Sequence, residues 1–220
     1  MGRPYADRGL LKLTLLTTFN QGEPALHISE AQNKAAGQFV ARVASKLGAG
    51  RAVHSETAIA CAARMAGSLL FRSFELSVQH AQPGQVVLSN EANEQGPQLA
   101  NILSAMLQHF GISLNQEMLG GDSASRGGSP ELSTVQSLAL LQESALSIAS
   151  NNELKLNEAA HAAAMATAFI VKECAPALTA EVGFNIAVYS FIEGCKTMPP
   201  LIVGYPMAAP TQKKPWYKLW

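Results

Sequence analysis

Charged side chains are scarce in this sequence. Aspartate, glutamate, lysine and arginine make up 15% of its 220 residues, against roughly 25% in a typical soluble domain. The 16 basic and 16 acidic residues cancel, so the chain has no net field that would attract nucleic acid or an anionic membrane. Because so few charges cannot cover many separate helices, we expect most helices to be buried by one another or by a second subunit.

Cysteine and long apolar runs are scarce as well. Cys61, Cys174 and Cys195 are odd in number and have no spacing typical of a zinc or redox site, which argues against a disulfide framework and favours a reducing compartment, the cytoplasm. The longest apolar run, 159–171, is interrupted by His161 and is shorter than the roughly 20 residues that span a bilayer. The sequence therefore predicts no membrane span.

The sequence contains no recognisable catalytic motif, but it contains one pair of side chains at the spacing of metal ligands. The glycine-rich segment 119–132 lacks the strand and the lysine of a phosphate-binding loop. Glu158 and His161 stand three apart, so on a helix both can reach one ion, but a di-metal bundle needs a second such pair. A single-metal site needs further ligands, such as His54 or His80. We predict no cofactor, and Glu158 and His161 are the candidate ligands if a metal is bound.

Helical periodicity dominates the rest of the chain, in which about one residue in six is alanine. Serine, threonine and proline at helix starts, and glycine or proline at helix ends, divide the pattern into six segments. These are a helix 29–47 with a Ser29/Gln32 capping box, a second from Ser55, a third from near Pro97, a fourth from Ser129-Pro130-Glu131, a fifth from 156 to Cys174, and a sixth capped by Thr179.

Two features predict how these helices pack. Ala60, Ala63 and Gly67 form a strip of small residues on the second helix, where another helix axis can come close. Between Leu156 and Cys195 there are only five charged residues, which predicts an antiparallel hairpin buried on most sides.

The predicted fold class is all-α, with about six helices in a compact bundle. Short alternating stretches leave room for a minor short-strand element near the termini, at 11–15, 85–89 and 201–205. The predicted organisation is an N-terminal extended segment 1–28, a single helical domain 29–200 with a flexible linker near 119–129, and a C-terminal extended tail 201–220.

The segment 213–220, KKPWYKLW, contains both tryptophans of the chain. Large aromatic side chains are costly to leave in water and are enriched at protein interfaces. Trp216, Tyr217 and Trp220 are therefore candidate interface residues, and packing against protein is favoured over membrane docking or base stacking on a neutral chain.

Two functional hypotheses remain. The first is a non-catalytic helical protein with a scaffold or regulatory role, which self-associates as a homodimer or dimer of dimers through the 156–195 hairpin or the tail. The second is a small-molecule- or metal-binding bundle, with or without enzymatic activity, that uses the Glu158/His161 pair together with Arg64 and Arg72. A deep polar pocket where these side chains meet favours the second hypothesis, and their separation favours the first.

Overall fold

The computed structural model describes residues 28–48, 53–74, 76, 78, 80–120, 130–202 and 205. Six α-helices lie within these ranges, and a single turn of 3-10 helix, Gln116–Met118, follows the third. The helices are α1 Glu30–Leu47, α2 Ser55–Ser73, α3 Asn90–His109, α4 Thr134–Asn151, α5 Leu156–Cys174 and α6 Ala180–Lys196. The all-α prediction is confirmed.

The predicted starts of α1 and α6 are correct. The Ser29 hydroxyl accepts the Gln32 backbone N–H at 3.1 Å, and the Gln32 side chain accepts the Ser29 N–H at 3.0 Å, which completes the capping box of α1. Thr179 caps α6 by accepting the N–H of Val182. Each cap satisfies backbone donors that have no partner inside the helix.

The predicted start of α3 near Pro97 is wrong. The helix begins at Asn90, because the Ser89 hydroxyl accepts the Ala92 N–H at 3.1 Å, and Pro97 lies inside it. Proline removes the helical partner of the Asn93 carbonyl, but Asn93 is exposed, so water can replace that bond. Gly96 precedes the proline and has no side chain to clash with its ring.

The predicted start of α4 at Ser129-Pro130-Glu131 is also wrong. Ser133 and Gln136 form the capping box, and α4 begins at Thr134. The residues in between are held by α2 instead. The Glu131 N–H donates to Thr57 Oγ1 at 2.9 Å, and the Leu132 carbonyl accepts from Arg64 Nη1 at 2.6 Å.

Helix α2 runs through the middle of the bundle, and every residue from Thr57 to Arg72 is buried. Helices α5 and α6 both pack on α2 far more extensively than on each other. The predicted 156–195 hairpin is therefore incorrect as a packing unit, although α5 is buried over most of its length. Its two helices are neighbours in sequence, but each uses its small residues to approach α2.

Helices α2 and α6 approach each other closely at Gly67 of α2 and Gly194 of α6. A Cβ atom at Gly67 would lie 2.8 Å from the Cys195 nitrogen, and one at Gly194 would lie 3.0 Å from the Gly67 Cα. These are backbone atoms that cannot rotate away. Gly67, one of the three small residues predicted to allow a close helix approach, therefore lies at such an approach.

The described residues contain no strand longer than a single bridge. Val86 pairs with Thr197, and Ile202 pairs with Tyr205, within two of the predicted strand segments. The third segment, 11–15, lies outside the described residues, as do nearly all of the N-terminal segment, most of the linker and the tail beyond 205.

Candidate functional site

Glu158 and His161 lie in the first two turns of α5. The Glu158 Oε2 atom accepts the backbone N–H of Lys155 at 2.9 Å, so this carboxylate caps its own helix. The Glu158 carbonyl accepts a hydrogen bond from the Gln32 side chain at 3.3 Å, which ties α5 to α1. The carboxylate predicted as a metal ligand thus satisfies a helix terminus.

His161 is partly buried beside Glu158. Burial lowers the pKa of the His161 imidazole below its usual value of 6.5, and the nearby Glu158 carboxylate only partly offsets this. In the part of the chain that the structure describes, no three histidine, cysteine, aspartate or glutamate residues are grouped to hold a metal ion. Glu158 and His161 therefore have no third ligand among these residues.

His54 is engaged at the N-terminus of α2. Its Nε2 lies 2.9 Å from Glu56 Oε2, and its Nδ1 lies 2.8 Å from Thr57 Oγ1. Thr57 Oγ1 also accepts the Glu131 N–H. The contacts form a chain from carboxylate to imidazole to hydroxyl. The Thr57 hydroxyl at its end is buried, so the chain fixes the start of α2 rather than presenting a nucleophile. A cleft of about 440 Å³ lies beside it, lined by Val53, His54, Ser55, Glu56, Glu131, Ala177 and Leu178.

Arg64 is buried between α2, α4 and α6. Its Nε donates to Glu193 Oε2 at 2.7 Å, and its Nη1 donates to the Leu132 carbonyl and, at 3.1 Å, to Ser137 Oγ. The Glu193 side chain is 43% exposed. Every one of these contacts joins one element of the bundle to another, so Arg64 stabilises the fold.

Arg72 belongs to a second, separate network. Its Nη2 donates to the Pro200 carbonyl at 2.9 Å and its Nη1 donates to the Tyr205 carbonyl. Gln142 donates to the same Pro200 carbonyl and accepts from the Ser68 hydroxyl. Burial lowers the pKa of the Arg72 guanidinium. This network fastens the chain after α6 onto α2 and α4, and it does not meet Glu158 or His161.

All three cysteines carry free thiols. Burial raises the pKa of Cys195 to about 12 and also raises that of Cys61 and Cys174. Because the thiolate is the reactive form, none of them is set up as a nucleophile.

The outer face of α6 has two different halves. Near the N-terminus the segment 115–120 covers it. The Asn185 amide donates to the Met118 carbonyl and accepts the Gly120 N–H, both at 3.0 Å. One and two turns further along, Tyr189 and Ile192 are 58% and 49% exposed.

We name Met118, Tyr189 and Ile192 the α6 strip. In the sequence, Tyr189 stands at four-residue spacing with the polar residues Glu181, Asn185 and Glu193, and this polar pattern does not include Ile192. The helical spacing of Ile192, three after Tyr189 and seven after Asn185, was the signal available.

A second exposed apolar segment precedes α3. Val86 and Leu88 are 64% and 79% exposed, on an extended stretch that runs beside residues 196–198. Trp216, Tyr217 and Trp220, the interface residues predicted from the tail, lie outside the described residues.

In comparisons with known proteins, no protein-family model matches the chain, and no curated protein or solved structure is significantly similar to it. Among the described helices, none is both long enough and apolar enough to cross a membrane.

Proposed function

We propose that this protein is a non-catalytic helical scaffold that self-associates as a homodimer, with the α6 strip as the contact between the two copies. The observation that supports the proposal is the half-exposed apolar surface of Tyr189 and Ile192 on the outer face of α6. The separation of Glu158/His161, Arg64 and Arg72 into three unconnected networks speaks against a shared polar site.

The low charge of the sequence predicts that most helices are buried by one another or by a second subunit. In the described bundle α2 and α5 are enclosed by their neighbours within one chain. Among the described helices, α6 carries the two most exposed large apolar side chains, Tyr189 and Ile192, whereas Val135 of α4 is only 36% exposed. We therefore narrow the predicted contact within 156–195 to α6. The tail remains a separate candidate surface.

Charge complementarity argues for a second copy as the occupant of the strip. Glu181 and Lys196 stand at opposite ends of this face of α6. If two copies pack antiparallel about a two-fold axis at Tyr189, Lys196 of each copy lies near the partner's Glu181, and Ile192 lies near the partner's Met118. The Asn115 N–H donates to Glu181 at 3.0 Å and lowers the pKa of that carboxyl, so Glu181 stays ionised at neutral pH. A closed two-fold dimer is the commonest arrangement of this kind.

Light scattering coupled to size exclusion tests the dimer. The wild-type protein should elute with twice the chain mass of 23.3 kDa, and Ile192→Glu should shift it to the monomer mass. The matched control is Val53→Glu, because Val53 is also a partly exposed apolar residue but lies by the cleft before α2; it should stay dimeric. A wild-type monomer at tens of micromolar contradicts the proposal.

The tail is tested by deleting residues 212–220. A truncated protein that stays dimeric assigns the contact to α6, whereas a truncated protein that becomes monomeric assigns it to the tail.

We place the protein in the cytoplasm, and this is supported by three free thiols, two of them fully buried. We propose no nucleic-acid partner, because acidic and basic residues balance.

Small-molecule binding is a second candidate, favoured by the cleft beside His54. The cleft combines Glu56, Glu131 and an oriented imidazole with apolar Val53 and Leu178. A screen of small cationic and neutral fragments by the NMR signals of His54 tests it. Saturable shifts that disappear in Glu56→Gln support binding, and unchanged signals across the screen argue against it.

A further inference from the structure

Residues 85–88 form one side of a very short antiparallel pairing whose other side is open. The Val87 N–H donates to the Lys196 carbonyl at 2.7 Å, and the Met198 N–H donates to the Gln85 carbonyl at 2.8 Å. Val86 is therefore paired with Thr197 without direct hydrogen bonds between them. Because backbone groups alternate in direction along an extended chain, Val86 and Leu88 direct their N–H and C=O groups to the opposite side.

The described residues leave that opposite side unoccupied. None of them forms a hydrogen bond with the backbone of Val86 or Leu88. The two side chains are also exposed, and the segment Gln85-Val86-Val87-Leu88 contains no charge and no proline. Exposed edges of this kind are normally blocked by lysine, proline or a covering element, because they pair readily with another extended chain.

We propose that this edge pairs antiparallel with the same edge of a second copy, about a two-fold axis at Val87. In this register Val86 exchanges two hydrogen bonds with the partner's Leu88, and Leu88 exchanges two with the partner's Val86. The apolar side chains of Val86 and the partner's Leu88 then lie side by side on one face. The edge is complementary to itself, which is the requirement for a two-fold contact.

The edge is too small to hold two copies together by itself. A stable interface buries roughly 800 Å² per partner, and a segment of this length offers much less. The pairing is therefore a second, weaker step that joins molecules already paired through α6, and it yields a dimer of dimers. In this respect the inference rests on the proposed function and extends it.

Sedimentation velocity from micromolar to hundreds of micromolar protein tests the inference. The wild type should be a dimer at the low end and should form tetramers at the high end. Leu88→Pro removes an N–H that has no partner within the described part of the chain, and the extended Val87 before it suits a proline, so the fold should be retained. Loss of one hydrogen bond from each copy should weaken tetramer formation by about tenfold or more.

Leu88→Ala is the matched control, because it shortens the side chain and keeps the N–H. It should weaken the tetramer less than Leu88→Pro does, and Val86→Lys should abolish it through repulsion across the axis. Circular dichroism confirms folding of each variant. A wild type that never exceeds a dimer, when Leu88→Pro leaves that dimer intact, overturns the edge pairing, as does a Leu88→Pro protein that forms tetramers like the wild type.

Different results would refute the α6 contact and the edge pairing. If the dimer persists in Ile192→Glu but is lost in Leu88→Pro, the edge pairing holds the dimer together and the α6 contact is refuted. If the dimer is lost in Ile192→Glu and no variant forms a tetramer, the α6 contact is supported and the edge pairing is refuted.

Discussion

Replacing Gly67 with alanine should force α2 and α6 apart. The new Cβ atom would meet the Phe191 carbonyl oxygen, the Cys195 nitrogen at 2.8 Å and the Gly194 carbonyl carbon at 2.9 Å. Ordinary contacts to a Cβ begin near 3.4 Å, and all three atoms belong to the backbone of α6. The strain can therefore be relieved only by moving one helix as a unit, and α2 has its most extensive packing on α6.

The expected loss follows from two opposing terms. Overpacking of a well-packed interior costs about 1–3 kcal/mol and occasionally more, and the backbone contact here favours the upper part of that range. Alanine in place of glycine inside a helix recovers about 0.8–1 kcal/mol. We expect Gly67→Ala to lower the free energy of unfolding by about 2 kcal/mol or more.

Gly37→Ala is the matched control. Gly37 also lies inside a helix, but a Cβ there meets nothing within 4 Å. Only the gain in helix propensity from replacing glycine with alanine remains, so this variant should be more stable than the wild type by about 0.5–1 kcal/mol. Urea unfolding followed by circular dichroism measures both variants. A Gly67→Ala protein as stable as the wild type would show that the two helices are not held at this distance.

Two further predictions concern the buried polar groups. His161 has a lowered pKa in the folded protein, so as the pH falls the unfolded chain binds a proton at this residue before the folded chain does. The contribution of His161 to stability is therefore present above pH 6.5 and is lost as the pH falls from there towards the folded pKa. His161→Gln should therefore lose less stability than the wild type between about pH 7.5 and pH 5.5, and an unchanged difference in urea midpoints would contradict the burial of the imidazole. Arg64→Met leaves the Leu132 carbonyl without its side-chain donor and leaves the Ser137 hydroxyl with only the weak Cys61 thiol as donor, and it should cost about 1–3 kcal/mol. Glu193→Gln should cost less than about 1 kcal/mol, because that side chain is partly in water; equal losses in chemical denaturation would argue against the proposed roles.

The starts of α1 and α6 could be predicted from neighbouring residues. The Ser29/Gln32 box and the Thr179 cap are each completed within four residues, so the pattern alone places them. Pro97 was misleading because proline suits a helix start better than a helix interior. The sequence does not show that an exposed Asn93 carbonyl makes the interior position tolerable.

Features that depend on distant residues could not be predicted. The local Ser133/Gln136 box at the start of α4 was available in the sequence, but Ser129-Pro130-Glu131 is also a typical helix start. That earlier start is excluded because Thr57 and Arg64 bind residues 131 and 132 outside the helix. The partner of α6 is α2 rather than the neighbouring α5, because Gly67 and Gly194 allow an approach that sequence separation does not reveal.

The assignment of Glu158 and His161 as metal ligands stays a prediction. The Glu158 carboxylate is near enough to raise the pKa of His161 against the effect of burial, but its bond to the Lys155 N–H also gives it a structural role that the sequence pattern did not indicate.

Disulfide cross-linking at Tyr189 tests the proposed dimer most directly. In a Cys174→Ser background the two remaining cysteines, Cys61 and Cys195, are buried, so a cysteine placed at 189 is the accessible thiol. If α6 packs on the partner's α6 about an axis at this residue, Tyr189→Cys should oxidise to a species of twice the chain mass on a non-reducing gel, and Val53→Cys should not. A Tyr189→Cys protein that stays monomeric, or that cross-links no better than Val53→Cys, would contradict self-association through α6.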